Sequence, residues 1–441
     1  MPVPPRLRRL TTAALPALAA VALTACNNAA YPNSIFHDHT EFNREVGTLF
    51  KILIYLGTAV FIFVEALLLY AVFRYRRRSE NDRPEHVHGN TTLEILWTAI
   101  PALILAFIAV PTVRTIFNTQ AKARGDALQV EVIGHQWWWE FRYPQYKVTT
   151  AGELYLPIGR TVNFSLKSQD VLHSFWVPQL GGKRDLITNH TNFLWFTPDS
   201  IGVTALNGMC VEYCGASHAN MRFKAFTVTP AEFEQWAAHQ ATPAAFGAVA
   251  PAAPTGAAPT TVPAVATADT TKKGAATAPA APAQVAADTA AAAKASVEQA
   301  GFIEYPRDKL PAWTIPKTPT PAGLTFNTAL VGSADRGLKL LSTGQGGCVG
   351  CHMINGNPVM MGVIGPNLTH VASRTTIAAG LYPNDTKHLA LWIKNARAMK
   401  PGVIMPTLGK GQFDPVTKAV VPMGLTDEQI ADIVAYLQAL K

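Results

Sequence analysis

The sequence has no cysteine to spare. Its 441 residues hold five, and three motifs absorb them all. Cys26 ends an apolar N-terminal segment, Cys210 and Cys214 form C-x-x-x-C, and Cys348 and Cys351 form C-x-x-C-H. Nothing remains for a structural disulfide, which sets the chain apart from secreted proteins that pair their cysteines with each other. Aromatics are nearly absent between residues 241 and 300, where Phe246 stands alone among Ala, Pro and Thr. Such a stretch cannot bury enough surface to offset its ordering entropy, so it reads as a tether. A basic surface spread along the chain is also missing. The net charge is +8, but much of it is local, in Arg6, Arg8 and Arg9 and in Arg74, Arg76, Arg77 and Arg78. These clusters flank apolar blocks and report membrane orientation, so nucleic acid is excluded as a partner.

What is present divides the chain into several units, as its length requires. Residues 1–25 read as an export signal: arginines, a short apolar run, then Leu23-Thr24-Ala25 before Cys26. That ending resembles a bacterial lipoprotein site, with cleavage before Cys26 and a lipid on its sulfur. Residues 26–120 hold two apolar blocks, about 47–73 and 93–117, each long enough to cross a hydrocarbon core of about 30 Å as a helix. The arginines between them belong on the cytoplasmic side. The blocks then form a hairpin whose outer ends, and everything after about residue 118, face outward. Glu65 and Glu94 lie within or at the edge of these blocks, where an ionisable group is costly and a functional candidate.

Residues 121–236 alternate apolar and polar, as in Val162, Phe164 and Leu166, with Gly181-Gly182 and Pro198-Asp199 as turns. The pattern predicts short strands in a small sandwich or barrel. Into it fall Cys210, Cys214, His218 and Met221, spaced C-x-x-x-C-x-x-x-H-x-x-M, with His173 upstream in Asp170-Val171-Leu172-His173. Thiolate, imidazole and thioether are soft ligands that select copper, zinc or iron–sulfur. Two cysteines and two histidines would satisfy zinc and leave Met221 unused. Two coppers bridged by the thiolates, each finished by one histidine and one weak ligand, use the whole set.

Residues 40–236 closely resemble the dinuclear copper (copper A) part of cytochrome c oxidase subunit II. The resemblance implies a cupredoxin fold with copper ligands His173, Cys210, Cys214, His218, Met221 and the main-chain oxygen of Glu212. It also implies that the Glu212 side chain reaches a magnesium shared with subunit I. Gly134-His135-Gln136-Trp137-Trp138-Trp139 is similar to the family's aromatic patch, in which Trp137 would receive electrons; Trp138 stands where tyrosine is usual. Alternation along a strand requires at least one of the three tryptophans to be exposed. Glu94, in Leu93-Glu94-Ile95-Leu96-Trp97, aligns with the acid at the entrance of a proton path into subunit I.

Beyond the linker, 237–322, residues 323–441 carry Cys348-Val349-Gly350-Cys351-His352, the signature of covalent c-type heme attachment with His352 as axial ligand. Helices are expected over 326–343 and 426–440, the second capped by Thr426. The sixth ligand must come from Met399, Met405 or Met423, with His370 and His388 as further candidates. Met405, in Gly402-Val403-Ile404-Met405-Pro406, resembles the loop that presents the axial methionine in class I cytochromes c.

The whole is similar to subunit II of caa-type heme–copper oxidases: a multidomain membrane protein with a two-helix transmembrane hairpin, an all-β cupredoxin domain and an all-α class I cytochrome c domain. The resemblance implies a proton-pumping oxidase in the bacterial cytoplasmic membrane, with its copper and heme domains on the periplasmic side. Implied partners are subunit I, subunit III, membrane lipid, and an external donor such as cytochrome c or a cytochrome bc-type complex. Electrons would pass from heme c to copper A and on to subunit I, where oxygen is reduced, because no ligands for a buried heme a are found here. A free-standing membrane relay needs no hairpin, Glu94 or Glu212. A quinol oxidase subunit lacks the copper ligands, and nitrous oxide reductase lacks the hairpin and the fused heme.

Overall fold

The computed structural model describes residues 33–77, 79, 88–120, 125–199, 205–244 and 316–441. The export segment with Cys26 and most of the Ala/Pro-rich linker lie outside the described residues. Two compact units result: one holds two long helices and most of the strands around the first cysteine motif, the other the C-terminal helices together with Glu140–Glu153.

The apolar blocks form α1, Glu41–Arg74, and α2, Thr91–Gln120, each long and apolar enough to cross a membrane. Both run several residues past the apolar blocks because their ends are held by polar groups. Thr40 caps α1 by accepting the Asn43 amide at 3.0 Å and donates its own hydroxyl to the Leu180 carbonyl at 2.5 Å. Asn43 donates to the Pro178 carbonyl at 2.8 Å, and the Thr197 amide donates to Glu41 at 3.1 Å. From α2, Asn118 donates to Glu45 at 2.9 Å, and Gln120 accepts from Arg184 at 3.0 Å. The start of α1 and the end of α2 are thereby fastened to the β-domain. Arg74, Arg76 and Arg77, and Glu94 in the first turn of α2, lie at the opposite ends of the helices.

Ten strands follow: β1 Leu128–His135, β2 Trp138–Tyr143, β3 Val148–Ala151, β4 Glu153–Pro157, β5 Val162–Ser168, β6 His173–Trp176, β7 Arg184–Leu186, β8 Asn192–Phe196, β9 Leu206–Cys210 and β10 Arg222–Val228. They make two five-stranded sheets, ordered β3-β2-β1-β5-β8 and β4-β10-β9-β6-β7, so the sandwich expectation holds and the barrel does not. The strand β5 buries Val162, Phe164 and Leu166 completely, as its alternation predicts. Between the sheets Trp139, Phe175 and Phe223 pack with ring centres 5.1 to 5.8 Å apart. Each such ring contributes about 2–3 kcal/mol by burial. A helix α3, Pro230–Gln240, closes this part of the chain with a capping box of Thr229 and Glu232.

In the C-terminal unit α4 is Ala334–Ser342, α5 Thr386–Met399 and α6 Asp427–Ala439. Two-residue ribbons, β11 Thr376–Ile377 with β12 Tyr382–Pro383 and β13 Phe413–Asp414 with β14 Ala419–Val420, interrupt an otherwise helical domain. Thr426 caps α6 in a box with Gln429, as its sequence predicts. The leading helix is shorter than the expected 326–343, because Ser333 accepts the Arg336 amide and starts the helix only at Ala334. Apolar residues of α6, including Ile430, Ile433, Val434 and Leu437, join Leu341, Leu389 and Leu391 in one core. The α4–α6 crossing depends on Gly337, where a Cβ would lie 2.1 Å from the Asp432 carbonyl oxygen. Arg336 locks the crossing through two hydrogen bonds to Asp432, at 2.7 and 2.8 Å.

Gly337→Ala must push the helices apart, at a cost of about 1–3 kcal/mol. Hydrogen exchange should report amide protection in α4 and α6 lowered by about tenfold or more, with protection in the β-domain unchanged.

Candidate metal centre and C-x-x-C-H turn

The C-x-x-x-C segment is the connection between β9 and β10, and the sheet register decides what it meets. Phe175 of β6 pairs with Cys210 of β9, and Met209 pairs with Arg222 of β10. The Cys210 amide donates to the Met221 carbonyl at 3.0 Å and the Val211 amide to the Ser174 carbonyl at 3.0 Å. Cys210, Met221 and His173 are therefore brought to one end of the sheet by backbone pairing.

Their ligand atoms converge. The Cys210 and Cys214 sulfurs are 3.8 Å apart and form no disulfide, whose sulfurs would lie at roughly 2.05 Å. His173 Nδ1 lies 3.9 Å from Cys210 Sγ, and the Glu212 carbonyl oxygen lies 3.3 Å from the same sulfur. His218 Nδ1 is 3.6 Å and Met221 Sδ 3.8 Å from Cys214 Sγ. Each sulfur thus has its own imidazole and its own weak donor. Ligand atoms of His173, Cys210 and Cys214 lie within 4.8 Å of one another, a spacing that a metal ion can satisfy. The Glu212 side chain is exposed.

Two further residues hold this cluster, and the sequence alone gives neither a role. Asp170 accepts His173 Nε2–H at 2.8 Å, the Gln136 amide at 2.6 Å and the Val171 amide at 2.7 Å. That fixes His173 with Nδ1 toward the sulfurs. Gln136 and Trp137 both donate to the Cys214 carbonyl, at 2.8 and 2.9 Å. The signal for Asp170 is its D-x-x-H spacing, a turn that returns the carboxylate to the imidazole. Trp137 and Trp139 are buried and Trp138 is half-buried, stacked on His135 at 4.1 Å, so none of the three is exposed, contrary to expectation; Trp137 lies in the turn before β2, where strand alternation does not apply.

Electrostatics favour a thiolate at Cys210 and a proton on His173. The hydrogen bond with Cys214 holds the Cys210 thiol far below its ordinary range, against the opposing effect of burial. Burial opposes a proton on His173, but Asp170 and Cys210 outweigh it and raise its pKa. Burial likewise works to raise Asp170, and the hydrogen bonds from His173, Gln136 and Val171 prevail and lower it.

In the second unit Cys348–Gly350 forms one 3-10 turn. The Cys351 and His352 amides both donate to the Cys348 carbonyl, at 3.1 and 3.0 Å, so the three motif residues share a single turn. His352 Nδ1–H donates to the Pro366 carbonyl at 2.8 Å, which leaves Nε2 for a metal. Burial lowers the His352 pKa and keeps the ring neutral, as a ligand requires. Gly365 makes room for that ring: a Cβ there would lie 2.6 Å from His352 Cε1. Of the candidate methionines, Met399 is buried in the helical core, Met423 is almost fully exposed, and Met405 is half-buried in its loop. His388 is held by Asp385 at 2.8 Å, and His370 is buried. Glu94 is exposed on α2.

Asp170→Asn should weaken metal binding by about 10–100-fold without changing the β-sheet signal, measured by competitive chelation and circular dichroism. Because the Cys210 thiol is depressed in the folded state, its thiolate persists from the ordinary thiol range downward. His173, whose pKa is raised, must also lose its proton to ligate, so metal affinity should begin to fall as pH drops through the histidine range, before the Cys210 thiolate is protonated, read by metal release against pH.

Known proteins agree with this division. The transmembrane domain of cytochrome c oxidase subunit II matches residues 36–115, its periplasmic domain 147–228, and cytochrome c 334–441. Cytochrome c oxidase subunit 2 of Alkalihalophilus pseudofirmus is 28% identical over 389 residues, covering 87% of this chain and 83% of that protein. Cytochrome c oxidase subunit 2 of Synechocystis is 32% identical over 246 residues, covering 45% of this chain and 73% of that protein. The crystal structure of the periplasmic domain of cytochrome oxidase subunit II from Bradyrhizobium japonicum aligns with TM-score 0.26 at 26% identity, covering 27% of this chain and 96% of that one. The chain belongs to the cytochrome c oxidase subunit 2 family, with a cytochrome c domain at its C-terminal end.

Proposed function

We propose that this chain is the electron-accepting subunit of a proton-pumping oxidase, carrying a dinuclear copper A centre and a covalent heme c. The observation that carries the reading is the division of ligands at the first cluster, Cys210 with His173 and the Glu212 carbonyl, Cys214 with His218 and Met221. Two copper ions would be held by these six donors, Cys210, Cys214, His173, His218, Met221 and the Glu212 carbonyl, with none left over. A single tetrahedral zinc would leave two of them idle. Bound there, copper supplies one-electron chemistry, as does heme c at Cys348, Cys351 and His352.

The residues around each centre hold it still and dry. Trp139 and Phe175 pack behind His173, with Trp139 6.1 Å from the imidazole. A rigid ligand shell keeps the geometry of two oxidation states close, so little reorganisation accompanies transfer. Trp137 donates to the Cys214 carbonyl, and this bond makes its ring the natural path from a donor to the copper ligands. At the second centre the Pro366 carbonyl fixes His352, and of the three candidate methionines Met405 is the one neither spent in the core, as Met399 is, nor almost fully exposed, as Met423 is. Held by His352 and Met405, the heme would have a raised potential.

The same reading gives the other parts their roles. The unit boundaries are 26–120 for the membrane hairpin, 121–236 for the copper domain, 237–322 for the linker and 323–441 for the cytochrome. Glu94, at the end of the hairpin away from the β-domain, is the entrance of a proton path in subunit I. Glu212 presents its exposed carboxylate to subunit I and a shared magnesium. Subunit I reduces oxygen, subunit III completes the complex, and cytochrome c or a bc-type complex delivers electrons from the periplasmic side. Residues 1–25 direct export, and Cys26 is lipidated.

Purified protein should contain two coppers per heme, with a mixed-valence copper EPR signal and a near-infrared band. One zinc, no copper signal and a heme alone would reduce the chain to a tethered cytochrome.

A further inference from the structure

We propose that the bend in α5 is a clamp that positions Met405, with Asn395 and Arg397 bracketing its loop from both sides. The inference rests on the reading of Met405 as the sulfur ligand to heme.

α5 does not run straight. Asn395, inside it, has φ −154° and ψ 78°, values far from helical. A break in a helix ladder frees backbone groups that must find other partners, and here those partners belong to the methionine loop. The Lys394 carbonyl accepts the Gly409 amide at 2.8 Å. The Ala398 amide, which would serve Lys394 in a straight helix, donates instead to Asn395 Oδ1 at 3.0 Å. The same oxygen accepts the Thr407 hydroxyl at 3.0 Å, and Asn395 Nδ2 donates to the Phe413 carbonyl at 2.9 Å. Asn395 and Thr407 are buried, at 3% and 5% exposure, so water does not compete for these bonds.

Arg397 holds the other side. One of its terminal nitrogens donates to the Ile404 carbonyl at 3.3 Å and the other to Asp414 at 2.8 Å. Asp414, buried in the β13–β14 ribbon, also accepts the Val416 and Thr417 amides at 2.8 and 3.0 Å. Met405 thus lies between a residue gripped by Arg397 and residues gripped by Asn395 and the Lys394 carbonyl. A straight α5 would need neither its bend nor its bonds to the loop. With them, the loop's backbone is fixed on either side of a side chain that otherwise stands half-buried. The clamp also anchors the β13–β14 ribbon, so the ribbon and the methionine share the same two holding residues.

The test is imidazole binding to the ferric heme of the full-length, metal-loaded protein, in which imidazole competes with Met405 for iron. Thr407→Val removes one bond of the clamp while Asn395 Oδ1 keeps the Ala398 amide. Arg397→Lys keeps a cation near Asp414 and loses the bond to the Ile404 carbonyl. Each should raise imidazole affinity by about fivefold to tenfold, the equivalent of one lost hydrogen bond. Heme content and the thermal midpoint should change little. Unchanged imidazole affinity in both variants would overturn the clamp. Equal imidazole affinity in the unmodified protein and in Met405→Ala would instead remove Met405 as the ligand, and the clamp with it.

Discussion

The metal cluster depends on one pairing, that of β6 with β9 in antiparallel register. Phase between these strands cannot slip by one residue without turning His173 from the ligand side to the opposite face. The pairing of Phe175 with Cys210 is what excludes that slip, and it is enforced from inside the sandwich. Phe175 is stacked on Phe223 of β10 and edge-on to Trp139 of β2, and all three are fully or almost fully buried. Moving the register would take an aromatic ring out of the core at a cost of about 2–3 kcal/mol by burial alone. The same core that stabilises the sandwich therefore sets the metal donors, and the short β9–β10 connection needs only to close over them.

The C-terminal unit solves a similar problem by other means. There the two sulfurs and the imidazole come from one 3-10 turn, so local backbone geometry suffices to group them. Long-range structure is needed to orient His352, which takes the Pro366 carbonyl, and to bring in the methionine loop, which hangs on the bend of α5. The α4–α6 crossing rests on Gly337 and on the Arg336–Asp432 bonds. In one unit the ligands are gathered by sheet register, in the other by a turn and a helix bend. Rigidity serves both, since small displacements of ligands on electron transfer keep the barrier low.

Much of this is legible in the amino-acid sequence because the chemistry is written in contiguous motifs. Cys210 to Met221 fall in twelve residues, and Cys348 to His352 in five. The apolar blocks announce α1 and α2, alternation announces β5, and Thr426 announces the cap of α6. The supports are not legible, because they arise from contacts between residues far apart in sequence. Gln136 meets Cys214 across 78 positions, and Arg336 meets Asp432 across 96. Asp170 lies only three residues from His173, yet it reads as an ordinary turn acid until the Gln136 amide is placed on its other oxygen. The bend at Asn395 leaves no mark in the periodicity of α5, for the apolar face continues on both sides of it. Helix ends depart from expectation where a polar cap overrides the apolar pattern, as Ser333 does for α4.

On the proposed function, an electron received by the cytochrome passes to the copper centre within the same molecule. Injecting single electrons photochemically into the oxidised, metal-loaded chain, and following heme and copper absorbance together, tests this directly. The account predicts that heme reduction decays as copper reduction rises, at a rate independent of protein concentration. A rate proportional to protein concentration, or heme that stays reduced beside oxidised copper, would contradict it.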